Sequence, residues 1–142
     1  MDYVRFQSAV PNRRGTFPGV FALANGLAAK GMLSDADLAW HREANRTANA
    51  LYPDPTIKSP DCYAVGDASA WFKSSATHLL DMCREYLALL DNYKIPWVEL
   101  RSNRPGVIRH DDDVQVIVQP FEYPKHWDGL WKQRTRPLRQ AP

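Results

Sequence analysis

The sequence predicts an α+β protein: a two-layer sandwich of about four mostly antiparallel strands, in the order β-α-α-α-β-β-β, with three helices on one face. Three observations carry this expectation. Residues 68–94 form the longest stretch compatible with a helix. After Pro96 the apolar period changes from near four to two. Tyr3 to Val10, at the other end of the chain, shows the same alternation.

Val4, Phe6 and Ser8 fall on one side of the first segment, with Tyr3, Arg5 and Gln7 on the other, the pattern of a strand with one buried face. PNRRGT is a loop ending in Thr16, a helix cap with Pro18 in the first turn. Phe21, Leu23, Ala24, Leu27 and Ala28 make that helix apolar, and Gly31 suits its C-cap. Ser34-Asp35-Ala36-Asp37 resembles a capping box with Asp in place of Glu or Gln, opening a second helix to about Leu51. Its inner side is Leu38, Ala44, Ala48 and Leu51. A Pro- and Asp-rich connection from Tyr52 to Asp67 follows, long enough to suggest a functional or surface-wrapping loop.

The third helix is expected from Ala68 to Lys94, with Phe72, Ala76, Leu79, Cys83, Leu87 and Leu90 as one apolar stripe. Asp67 or Ser69 could cap it, and Pro96 stops it. Beyond it, Trp97–Arg101, Val107–His110 and Val114–Gln119 read as a three-stranded meander. The first strand is expected beside Val114–Gln119. Val114, Val116 and Val118 are expected to face the core, leaving Ile117 on the polar back, where the aromatic C-terminal segment would cover part of the sheet.

Residues 1–123 are read as one α+β domain and 124–142 as an aromatic, basic tail. The chain has 142 residues, 44% hydrophobic and 24% charged, which is ordinary for a soluble globular protein with one core. No apolar run approaches the roughly 18 residues of a membrane span, and MDYVRFQSAV lacks a signal-peptide pattern. The expected setting is therefore cytoplasmic, with Cys62 and Cys83 as free thiols. Five cations against one anion, Asp128, fall between Lys125 and Pro142, so an electrostatic case for an anionic partner rests on the tail.

Candidate chemistry is sparse. Ser74, His78 and Asp81 share one side of the expected helix and have the residue types of a hydrolase triad. Three side chains leaving one helix in parallel cannot orient one another, however, and no G-x-S-x-G elbow exists. His110 with Asp111, Asp112 and Asp113 has the oxygen ligands a hard cation likes, but neighbours in one tight turn cannot all face one centre. His41, one turn after Asp37, is read as a local hydrogen bond or half of a metal site. No catalytic residue, metal ligand or cofactor is assigned. A ligand site is considered at the N-terminus of the helix near Ala68, where Trp71, Lys73 and His78 could meet Arg13 or Arg14 around an anion. In the tail, Trp127, Leu130 and Trp131 precede Arg134 and Arg136, a set suited to anchoring in a partner's pocket or to stacking on single-stranded nucleic acid. A tail packed on its own sheet accounts for the same residues.

The stretches VPNRRGTFPGVFALANGL, AWFKSSATHLLDMCREYLALLD and DDDVQVIVQP together resemble a group of small uncharacterised proteins of actinobacteria and their phages. The resemblance covers most of residues 3–119 and implies a bacterial or phage cytoplasmic setting, with no activity to transfer. The functional expectation is a non-enzymatic interaction module that binds a protein partner or itself, with the tail as docking element. The alternatives are a nucleic-acid binder using the basic tail, and a small enzyme or ligand-binding protein using the anion pocket.

Overall fold

The computed structural model describes residues 2–64 and 66–122. It is an α+β fold. The elements run β1 (Tyr3–Ser8), α1 (Val20–Ala29), α2 (Asp35–Leu51), α3 (Pro55–Lys58), β2 (Ser69–Lys73), α4 (Thr77–Asn92), β3 (Trp97–Ser102), β4 (Val107–Asp111) and β5 (Gln115–Gln119). The strands form a five-stranded sheet in the order β3-β1-β2-β5-β4, with every neighbouring pair antiparallel.

Local chemistry explains most of the boundaries. Asn12 Oδ1 accepts from the N–H groups of Arg14 and Thr16, closing the loop before α1, and Gly15 takes the left-handed φ of +79° that the loop needs. Ser34 Oγ accepts from Asp37 N–H at the start of α2, as its capping sequence predicts. Asp54 caps α3 in the same manner through Thr56 N–H. Gly31, at φ +67°, ends α1.

The expected helix over 68–94 divides in two. Ser69–Lys73 is a fifth strand, and α4 begins only at Thr77. The reason is tertiary: SAWFK hydrogen-bonds to β1 on one side and β5 on the other, and a filled ladder outweighs a weak local helix preference. β2 also displaces β1 from its expected place. β1 lies between β3 and β2 rather than beside β5, so only β4 and β5 pair as consecutive strands of the expected meander.

The main core lies where Val4, Phe6 and Phe72 meet α1 and α4, with Cys83, Tyr86 and Leu90 of α4 at its centre. Leu51, expected inside, is 51% exposed at the last residue of α2. The faces of β5 also differ from expectation. Ile117 pairs with Ala70, two residues from Phe72, and so shares the helix-side face, fully buried. Val116 and Val118 instead cluster with Tyr3 and Trp71 on the other face.

Candidate functional site, a cleft at the split between two central strands

β1 and β2 pair only at Tyr3–Lys73 and Val4–Phe72, and then diverge. The Arg5 side chain spans the gap. Its Nη1 donates to Ala70 O of β2 at 2.9 Å, its Nη2 to Phe17 O of the loop before α1 at 2.8 Å, and its Nε to Gln7 Oε1 at 2.7 Å. Beside this bridge opens a cleft of about 1460 Å³. One wall is the 12–19 loop and α1, another the end of α2, and a third is drawn from residues 53–63 and 66–70.

The lining is mixed. Phe17, Phe21, Tyr52, Tyr63 and Trp71 supply rings, whereas Asn25, Asn45 and Asn49 supply amides. Arg5 and Arg14 supply positive charge, and Asp54 and Asp67 the negative. Asp54 Oδ1 is already engaged by the N–H and hydroxyl of Thr56. Among the described residues, Arg5 has no carboxylate partner: its hydrogen bonds go to two carbonyls and an amide. Burial pushes its guanidinium down to about 10, with Tyr63 acting weakly in the opposite direction. Gly19 lies against that guanidinium; a Cβ there would sit 3.4 Å from Nη1.

The residues expected to form an anion pocket are only partly brought together. Arg14 and Trp71 line the cleft. Arg13 is exposed in the neighbouring loop and is not part of the lining. Lys73 points away, its Nζ 2.6 Å from Asp111 Oδ1. That carboxylate holds the Lys73 ammonium above its ordinary value. His78 Nδ1 lies 2.5 Å from Tyr52 Oη, which places it one residue behind the cleft wall. The helix N-terminus proposed near Ala68 does not exist, because β2 occupies that position. Trp127, Leu130, Trp131, Arg134 and Arg136 lie outside the described residues.

The other candidate groups also separate. Ser74 lies before α4, so it shares no helix face with His78 and Asp81. Asp37 accepts from Tyr93 Oη at 2.6 Å, not from His41. The His41 ring, 5% exposed, faces Asn25 Oδ1 at 3.0 Å and Asn45, and burial lowers its pKa. Asp111 and Asp112 turn to different partners, Lys73 and His110. Among the described residues no three His, Cys, Asp or Glu side chains gather as a metal site, and no helix is long and apolar enough to cross a membrane.

Sequence reasoning missed Arg5, which resembled an outward residue of an alternating strand. It also missed the contact between Ser59 and His110, 51 residues apart. No protein-family model, curated protein or solved structure matches the chain. The fold and the cleft define the class of protein: an α+β fold with an open, ring-lined groove crossed by an arginine.

Proposed function

We propose that this protein is a ligand-binding domain whose cleft receives a small organic anion, a carboxylate or phosphate attached to an apolar or ring-bearing body. The observation that carries the reading is Arg5, a largely desolvated cation in the cleft wall without an acidic partner among the described residues. A cation kept from water gains most when an anion reaches it, because the interaction replaces lost hydration in a low-dielectric site. Of the five N–H groups of a guanidinium, three are engaged, leaving donors for a ligand. Arg14 adds a second charge at the rim, and Trp71 and Phe21 supply apolar surface.

The test is a panel of aromatic and aliphatic carboxylates and phosphates, screened by thermal shift beside neutral analogues of the same shape. A ligand at a hundredfold excess over its Kd adds about 2.7 kcal/mol of stability. Charged members should stabilise the protein, and Arg14→Ala should weaken the effect without changing the fold. Stabilisation by neutral analogues equal to that by their anions would defeat the proposal.

A second reading, an interaction module that docks a protein partner or a second copy through the tail, is favoured by one feature. Val107 and Ile108 on edge strand β4 are each 46% exposed, and Phe121, shortly before the tail, is 44% exposed. Removal of residues 125–142 should then abolish partner capture or lower the oligomer mass while folding persists. Binding to RNA or single-stranded DNA that falls steeply with salt would assign the tail to nucleic acid instead.

A further inference from the structure

Away from the cleft lining, three side chains from two distant parts of the chain form a continuous hydrogen-bonded line. Ser59 Oγ, at the C-cap of α3, lies 2.9 Å from His110 Nδ1 on β4. His110 Nε2 lies 2.7 Å from Asp112 Oδ2. The imidazole is nearly enclosed, its side chain 2% exposed, whereas Ser59 is half-buried. Asp112 is itself fixed: its Oδ1 accepts from the N–H groups of Val114 and Gln115 at 2.9 and 3.0 Å.

This line defines a direction for proton movement. A carboxylate only accepts, so the His110 nitrogen facing Asp112 carries the proton and Nδ1 presents a lone pair to the serine hydroxyl. The nitrogens are used in the opposite order from the usual serine-protease arrangement, but the chemistry requires only that one nitrogen accept while the other is held by an acid. The geometric objection that excludes Ser74, His78 and Asp81 does not apply, because Ser59 arrives from a different segment and faces the ring.

We infer that Ser59 is a nucleophile activated by His110 and Asp112, acting on carboxylic esters. Ser59 Oγ bonds to the ester carbonyl carbon as its proton passes to His110 Nδ1. The carbon–oxygen bond to the alcohol breaks, and the alcohol leaves with that proton. Water then attacks the acyl-serine, giving its proton to Nδ1, and the acid departs as Ser59 Oγ recovers a proton. The backbone N–H of Cys62 is spent on Ser59 O, so the developing oxyanion falls to Lys58, whose Nζ reaches across to Asp111 O at 3.3 Å and can swing to the neighbouring serine.

The experiment treats the full chain with a fluorophosphonate, which traps the serine by forming a P–O bond and expelling fluoride, and locates the adduct by peptide mass. Ser59 should be the labelled residue and Ser59→Ala should remain unlabelled. His110→Gln should slow labelling by about a hundredfold or more, and Lys58→Met should slow it less. If His110→Gln misfolds, Asp112→Asn provides the second reading, with a smaller fall in rate. Absence of a Ser59 adduct on folded wild-type protein, or equal labelling rates with and without the imidazole, would overturn the assignment.

Discussion

Tyr86 Oη donates to Asn45 Oδ1 across 2.6 Å, so the buried middle of α4 is tied to α2 by a polar contact inside an aromatic cluster. The rings of Phe21 and Trp40 pack edge-on against Tyr86, at centroid distances of 4.8 and 5.2 Å. The two contributions are separable. Tyr86→Phe keeps the ring packing and should cost about 0.5–1.5 kcal/mol, the net worth of one hydrogen bond. Tyr86→Ala empties the centre of the core and should cost about 3–5 kcal/mol. Urea unfolding of both variants measures the difference; equal losses would mean that the hydroxyl, not the ring, holds α2 in place.

Gly106 and Gly26 predict opposite signs for the same substitution. A Cβ on Gly106 would strike Gln119 O and lie 3.2 Å from Val118 Cβ, where β4 enters its pairing with β5. Gly106→Ala must therefore push the edge strand away and should destabilise by about 1–3 kcal/mol. Gly26, inside α1, has open space around its missing Cβ. Gly26→Ala should stabilise by about 0.5–1 kcal/mol, through helix propensity and a less flexible unfolded chain. Denaturation midpoints for the pair give the answer, and a stabilising Gly106→Ala would contradict the register of β4 on β5.

The cysteines are built to be inert. Cys83 is fully buried in α4 and burial pushes its thiol up to about 12, while Cys62, 2% exposed, is also raised by burial. Both are free, as the sequence leads one to expect. An aromatic disulfide reagent should leave both untouched in the folded protein and react with both after unfolding. Rapid reaction of either in native conditions would show that the 59–68 segment or α4 opens readily.

What could be read from the sequence was what depends on neighbours along the chain. The Ser34 cap, the alternation of Tyr3–Ser8 and the stripe from Leu79 to Leu90 are local signals, and the structure contains each of them. Ser69–Lys73 misled because Phe72 extends the helical stripe of α4 by one more turn while also fitting a strand. Only the partners on both sides, β1 and β5, decide between the two states. Arg5 and Ser59 failed to stand out for a related reason. Their meaning lies in Ala70, Phe17 and His110, which the fold brings to them from far along the chain. The whole expected ligand set was assigned around a helix end that is not there; Arg14 and Trp71 line the cleft, whereas Lys73 and His78 do not.

Asp112 gives the fold an acid limit whose sign follows from its surroundings. Burial pushes its carboxyl up, but the hydrogen bond from His110 and the N–H groups of Val114 and Gln115 together outweigh burial and hold it below its ordinary value of 3.8. A carboxyl with a lower pKa in the folded state than in the unfolded state contributes stability that is complete above 3.8 and is lost as pH falls through the folded value. Asp112→Asn should therefore cost stability at neutral pH, about 1.5–3 kcal/mol for hydrogen bonds to a charged group, and should flatten the decline below 3.8. Urea midpoints for both proteins, taken at neutral pH and at successive steps into acid, compare the slopes. Parallel acid limbs would show that protonation of Asp112 is the same in the folded and unfolded chains, and that the turn joining β4 to β5 is held by its backbone alone.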